Sequence, residues 1–491
     1  MSQTMLGHLI YLAALAVLAV GINAKGLGEI GSFLLVLGAI GMWRYSWAML
    51  NFLRALYYTR WRFPRLRRSA ERDYARRPVP AHAFFMVTTY KIEASTTARV
   101  YRSIIEAAAR SPGGATVVAS VVDGADVRAI GSLFARARRR HPHLRLLIDQ
   151  IPGTGKRDAM ARALRLIARE APSARDVLVF VDGDSCVPPD LITRTAPFFT
   201  DRRVGALTTD EAAEIPRGWL FRSWFALRFM QRQMMMSSMA LGGRVLTLTG
   251  RLSVFRADLA TNPDFVRQVQ HDYIEHWRLG HVNFLTGDDK STWFWLLARG
   301  YRMSYVPDVR SLSMETQPRP GFVDSAVALM RRWFGNMLRT NGRALSLGPA
   351  RIGMFTWWSI LDQRLSIWTT LAGPIAVLIA TLFIDPIALP AYLAWVMFTR
   401  YLFCAALSAF RGGGFPIVYV PLLYFSQIVG AAVKSYVLFR QDRQKWTRQS
   451  ADTGTAPLAV GQRLRAATST FIHVLALGWL TLGVTLATGV L

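Results

Sequence analysis

The chain has only two cysteines in 491 residues, Cys186 and Cys404, and they lie in unrelated contexts. That leaves no basis for a disulfide framework or a cysteine metal cluster. Charge is also scarce, at 18% of residues, and the acidic share is small: 31 Asp and Glu against 59 Lys and Arg, for a net charge of +28. The shortage of charge beside a 52% hydrophobic content excludes an ordinary soluble composition and leans toward a membrane protein. A basic balance can serve nucleic acid, but the apolar segments already account for the chain's class, so nucleic acid is not expected as a partner. Arginine and lysine on the cytoplasmic side of a membrane protein are the ordinary case. They also attract anionic lipid head groups and steer anionic substrates.

Crossing a bilayer core takes about 20 apolar residues. Residues 5–22 and 29–53 qualify, as do 365–384, 386–410 and 469–491. No basic stretch precedes the first of these, and a second apolar stretch soon follows, so the start reads as an anchor and not as a cleaved signal. Arg54, Arg60, Arg62, Arg65, Arg67, Arg68, Arg72, Arg76 and Arg77 then form a dense basic run. That run puts its side in the cytoplasm, with the Lys25 loop outside and the N-terminus inside. Residues 415–439 are long enough to cross. The loop after them, however, carries Arg440, Arg443, Lys445, Arg448, Arg463 and Arg465. Charge puts this loop in the cytoplasm too, so the segment is expected to be interfacial or re-entrant. Five or six crossings follow, with a two-helix N-terminal segment (1–55), a cytoplasmic domain (56–345) and a C-terminal membrane region (346–491).

Between the apolar segments the pattern changes. Residues 84–88, 115–122, 144–148 and 177–181 read as strands, and 94–109 and 158–170 as helices. Strand–helix alternation of this kind argues for an α/β domain with a largely parallel sheet, whose ligands bind beyond the carboxyl ends of the strands. Asp182-Gly183-Asp184 stands there, directly after Val177–Val181. Two carboxylates one residue apart suit a hard cation that also takes water and phosphate oxygens, although short acidic loops are common on any surface. Gly287-Asp288-Asp289 is a second acidic site that could supply a base or merely cap a helix. Gly153-Thr154-Gly155-Lys156-Arg157 lacks the first glycine and the Ser/Thr of a P-loop, since Gln150 and Arg157 stand in those places. A glycine turn with two cations before a helix still suits a phosphate. Asp123-Gly124 could bond a base or ribose, or form a plain turn. Residues 219–241 and 327–338 are amphipathic and read as helices resting on a membrane surface.

Taken in order, these motifs resemble the processive family 2 glycosyltransferases, which include the cellulose, chitin and hyaluronan synthases. Asp182 and Asp184 correspond to that family's Asp-x-Asp metal site, and Gly287-Asp288-Asp289 to its base site. Leu329-Met330-Arg331-Arg332-Trp333 corresponds to Gln-x-x-Arg-Trp, with Leu329 in place of the glutamine. Trp446, Thr447 and Arg448 are similar to a cytoplasmic gating loop, without its glycine. Longer strings, residues 153–158, 245–251, 284–291 and 444–449, look like the mannuronan synthases of bacterial alginate polymerisation. The resemblance implies a GT-A-type (Rossmann-like) cytoplasmic domain inserted in an α-helical transmembrane bundle of a bacterial inner-membrane protein. It implies Mg2+ or Mn2+ on Asp182 and Asp184, and Asp289 as base with Asp288 beside it. GDP-mannuronate would lie against Thr88, Tyr90, Glu93, Asp123, Lys156, Arg157 and Lys290, and the acceptor against Arg332, Trp333 and Arg251. The product is a β-1,4-linked polymannuronate formed with inversion. Arg44 and Arg400, inside apolar segments, either line its exit or snorkel to an interface. The implied partners are the lipid bilayer, a co-polymerase subunit with a cyclic-di-GMP-binding PilZ domain, and a periplasmic export complex.

Overall fold

A computed structural model describes residues 3–22, 31–77, 79–444 and 460–489. The gating-type residues Trp446, Thr447 and Arg448, and Lys25, lie outside them. The strands are β1 (Ala83–Thr89), β2 (Ala115–Val121), β3 (Arg145–Gln150), β4 (Val177–Asp182), β5 (Ser185–Cys186), β6 (Val204–Glu214), β7 (Leu252–Arg256), β8 (Tyr273–His276), β9 (Gly280–Asn283) and β10 (Arg302–Met314). Eight of them form one sheet in the order β3-β2-β1-β4-β7-β6-β10-β5, and β8 and β9 form a separate hairpin.

The first half of the sheet is parallel, as the alternation of strands and helices predicts: β1 pairs in parallel with both β2 and β4. These strands are buried on both faces, which is why their sequences are continuous apolar runs. Phe85, wholly buried at the centre, contributes on the order of 2 kcal/mol by leaving water. The other half departs from the expected parallel sheet. β7 runs antiparallel between β4 and β6, so the whole is mixed.

Four helices among the described residues are long and apolar enough to cross a membrane: Met354–Phe383, Ala388–Arg411, Tyr419–Leu438 and Arg463–Ala487. Tyr419–Leu438 is one continuous helix, and no chain reversal interrupts it. Both its ends are nevertheless tied to the catalytic half. Arg411, just before it, lies 3.6 Å from Asp210. Phe439, just after it, accepts a 2.7 Å hydrogen bond from Arg278. The length and apolar composition of Tyr419–Leu438 put it among the crossing candidates, against the re-entrant expectation. The two amphipathic segments are also helical, at Trp219–Ala240 and Phe322–Ser346. They pack against Gly31–Tyr57 and Tyr419–Leu438 respectively, so each has a protein partner on one side.

Candidate active site

β4 ends at the carboxyl edge of the sheet and delivers Asp182 there, in register with Thr88 of β1. Gly183 turns the chain so tightly that a Cβ would come within 2.6 Å of the Thr88 carbonyl oxygen. Its amide donates to that same oxygen at 3.1 Å. A glycine is therefore needed between the two aspartates. Gly250, at the other side, lets the backbone pass close to the site: a Cβ would lie 2.7 Å from Asp182 Oδ2 and 3.2 Å from Lys156 Nζ.

The second acidic site sits at the start of helix Asp288–Ala298. Gly287 holds φ at 88°, a conformation that favours glycine, and a Cβ there would meet Asn336 at 2.9 Å. Asp288 and Asp289 occupy the first turn, where the helix dipole favours anions. This is the capping region anticipated as an alternative, but Asp288 is buried and not solvated.

Lys156 joins the two sites. Its ammonium lies 2.7 Å from Asp182 Oδ1 and 2.9 Å from Asp288 Oδ2. The end of β4 and the start of the Asp288–Ala298 helix therefore meet at one cation. Burial works against the Asp288 carboxylate, but Lys156 and Arg157 together outweigh it and keep its pKa below the usual range. Asp289 goes the other way. Burial, and then the negative Asp288 beside it, push its pKa up to about 6, the range suited to a base at neutral pH.

The remaining expected residues divide. Arg332 and Trp333 lie on helix Phe322–Ser346, and Arg332 is close enough to the site for its charge to be felt from Asp182 and Asp289. The Trp333 ring is covered by the Arg228 guanidinium, 4.4 Å from its centroid, and stacks on Trp224 at 5.8 Å. Arg251 is held by Glu315 at 2.5 Å and Glu211 at 3.5 Å, in an ionic cluster within electrostatic reach of Asp184. Tyr90 and Glu93 are exposed beyond β1, and the Glu93 carboxylate accepts a hydrogen bond from Ser95 at 2.7 Å. Asp123 caps helix Gly124–Arg138 through the Ala125 amide at 2.8 Å.

Two residues expected against the donor turn inward. Lys290 donates to the Leu246 carbonyl at 2.6 Å and lies over Trp293. Burial lowers its pKa to about 8. Arg157 is spent on the Val269 and Thr286 carbonyls and on Ser291. Both brace the Gly287 turn, because an ammonium or guanidinium buried in the core must satisfy its donors there.

Sequence reasoning missed the outer braces. Thr286 donates to Asn336 at 2.6 Å, and Arg339 reaches Asn336, Thr286 and the Gln441 carbonyl. The Gln444 side chain accepts from the Leu285 amide at 3.0 Å and donates to the Asn283 carbonyl at 2.8 Å.

Could the cleft hold a divalent ion? No group of three or more His, Cys, Asp or Glu is assembled among the described residues, so a cage made of protein alone is not present. Asp182 and Asp184, one residue apart at the end of β4, fit a hard cation that completes its shell with water and phosphate oxygens.

A glycosyltransferase is what this fold and cleft define, and the comparisons agree. Residues 80–336 match the model of the family described as glycosyltransferase like family 2, and the chain belongs to that family. Among curated proteins, it is 42% identical over 447 residues to "Glycosyltransferase alg8" of Pseudomonas syringae pv. tomato, covering 90% of each chain. It is 40% identical over 461 residues to the protein of the same name from Azotobacter vinelandii, again covering 90% of each. Among solved structures, it resembles the mannosyltransferase PcManGT from Pyrobaculum calidifontis in complex with GDP-Man and Mn2+, at 20% identity and a TM-score of 0.43. That match covers 78% of this chain and 98% of the other.

Proposed function

We propose that the chain is a processive inner-membrane polymerase that transfers mannuronate from GDP-mannuronate to a growing β-1,4-linked polymannuronate, the precursor of alginate. The observation that carries this reading is the Lys156 bridge, 2.7 Å to Asp182 and 2.9 Å to Asp288, which supports a shared site for diphosphate and base. Similarity over nine-tenths of the chain to the two alg8 glycosyltransferases supports the alginate assignment.

Asp184, helped by Asp182, would hold Mg2+ or Mn2+. The ion would supply charge neutralisation at the departing diphosphate. Lys156 moves with the donor: it leaves Asp182 and gives its charge to the phosphates. Asp289, ionised at neutral pH with its pKa near 6, accepts the proton of the acceptor 4-hydroxyl. Direct displacement on an α-linked donor then inverts the anomeric carbon. Arg332 donates to the acceptor sugar, and Trp333 supports it from below. The basic run after Leu53 puts the catalytic domain in the cytoplasm, and the polymer leaves through the helical region. A PilZ-domain co-polymerase and a periplasmic export complex would complete the assembly.

Membranes carrying the full chain, with and without the co-polymerase, are incubated separately with GDP-mannuronate and with UDP-sugars. The expected result is GDP release and an alginate-lyase-sensitive polymer from GDP-mannuronate alone. Polymer from a UDP-sugar instead would overturn the donor assignment.

A further inference from the structure

Buried cations of the catalytic half are held by carboxylates or carbonyls, whereas two in the helical half lie against aromatic rings. Arg228, on Trp219–Ala240, covers Trp333 at 4.4 Å. Lys434, on Tyr419–Leu438, covers the adjacent Phe334 at 4.9 Å. Among the described residues neither cation has a carboxylate within salt-bridge distance. Lys434 lies within electrostatic reach of Arg228, Arg44 and Asp362. Arg44, on Gly31–Tyr57, pairs with Asp362 of Met354–Phe383. Next to Arg44 is Tyr45, whose hydroxyl accepts a 3.0 Å hydrogen bond from Arg400 of Ala388–Arg411. Arg400 also donates to Gln427 at 2.8 Å.

Five helices thus contribute to one file of four cations, Arg228, Lys434, Arg44 and Arg400, with Asp362 as the single carboxylate on it. The file begins on the ring proposed to support the acceptor. Arg228 and Lys434 lie deep in the molecule yet stay partly accessible. Unpaired cations among apolar helices are costly and imply a function. Snorkelling, the alternative for Arg44 and Arg400, does not describe them: both are engaged by neighbouring helices. An anionic ligand would supply the missing charge.

We infer that the Arg228–Lys434–Arg44–Arg400 file binds the carboxylates of a polyuronate chain as it moves from Trp333 into the helical region. The inference rests on the acceptor reading of Trp333 and adds the charge class of the polymer. A neutral glycan would find no partner for these cations. A polyuronate meets one or more of them at each step, held weakly enough at several stations to keep moving.

The test uses the full chain in bilayers of zwitterionic lipid, so that no lipid anion competes. The probes are an end-labelled oligomannuronate of about twelve sugars, chosen to reach past one charge spacing, and a neutral β-1,4 oligomannoside of the same length. The expected result is that wild type retains the uronate, less so as salt rises, and that Lys434→Met weakens this retention at least tenfold. Lys434→Arg restores it, and the neutral oligomer distinguishes none of the proteins. If Lys434→Met is not monodisperse, Arg400→Gln carries the comparison. Equal retention of the two oligomers by wild type, or uronate retention unchanged by the neutralising substitutions, overturns the inference. GDP-mannuronate turnover by wild type is read separately. Turnover without uronate retention removes the path, whereas retention without turnover removes the donor assignment.

Discussion

The acidic cluster at the sheet edge and two cations of the helical region, Arg228 and Lys434, differ in what faces them. At the sheet edge Asp182 and Asp288 share Lys156, Arg251 is held by Glu211 and Glu315, and Asp272 is clasped by Arg343 at 2.7 Å. In the helical region Arg228 and Lys434 meet aromatic rings and no carboxylate among the described residues. A site whose charges are already balanced must exchange partners to bind a ligand, so selectivity comes from what displaces what. A site left unbalanced waits for the ligand's own charge. The first arrangement suits a chemical step that must not begin early, and the second suits holding and passing a chain.

The sharpest way to break the comparison is at the base. Asp289→Asn should lower transfer by about 10²–10⁴-fold, the usual contribution of a positioned base, measured as GDP release per enzyme. Lys156→Met comes next. It leaves Asp288 buried without its ammonium, and losing one partner of a buried pair costs about 3 kcal/mol. The unfolding temperature should fall clearly, whereas Lys434→Met in the unbalanced region should leave it unchanged or raise it. A fall of equal size in both variants would erase the distinction between the two regions.

The pH profile gives a smaller and more specific effect. Activity needs Asp289 ionised, so kcat/KM should fall about tenfold per unit below pH 6. Stability runs in the opposite direction. A carboxyl raised by folding favours the folded state fully below its unfolded pKa of about 4, and that contribution is lost as pH rises through about 6. Asp289→Asn should therefore melt higher than wild type near neutral pH. Asp288, depressed by Lys156 and Arg157, stabilises above about pH 4 and loses that contribution as pH falls. A flat kcat/KM between pH 5 and 7, by about a factor of two or less, would remove Asp289 from the proton transfer.

Much of the catalytic half was legible in the sequence because its signals are local. An apolar run of five residues ending in Asp-Gly-Asp gives β4 and its acidic end, and residues 94–109 appear as a helix with those same bounds. The antiparallel β7 was not legible, since Leu252–Arg256 is short and its partners β4 and β6 are chosen by tertiary packing. The inward turn of Lys290 and Arg157 was hidden for the same reason: a cation beside an acidic motif looks like a ligand group until the carbonyls that capture it are located.

The smallest effect is expected at the seam between the two regions, and it is the most informative about their coupling. Gln444 bonds the Leu285 amide and the Asn283 carbonyl, three to five residues before the Asp288 carboxylate, and stands two residues before Trp446. The contact is exposed, so each bond is worth about 1 kcal/mol or less and folding should hardly notice its loss. If the two regions are coupled through this clasp, Gln444→Ala should lower kcat by about threefold to fivefold and leave the unfolding temperature unchanged. The apparent pKa of the kcat profile should move as well, because the turn that holds Asp289 against Asp288 loosens. A variant with wild-type kcat and wild-type pH dependence would show that the base turn is set by Arg157, Asn336 and Arg339 alone, and that the helical region signals to the cleft by another route.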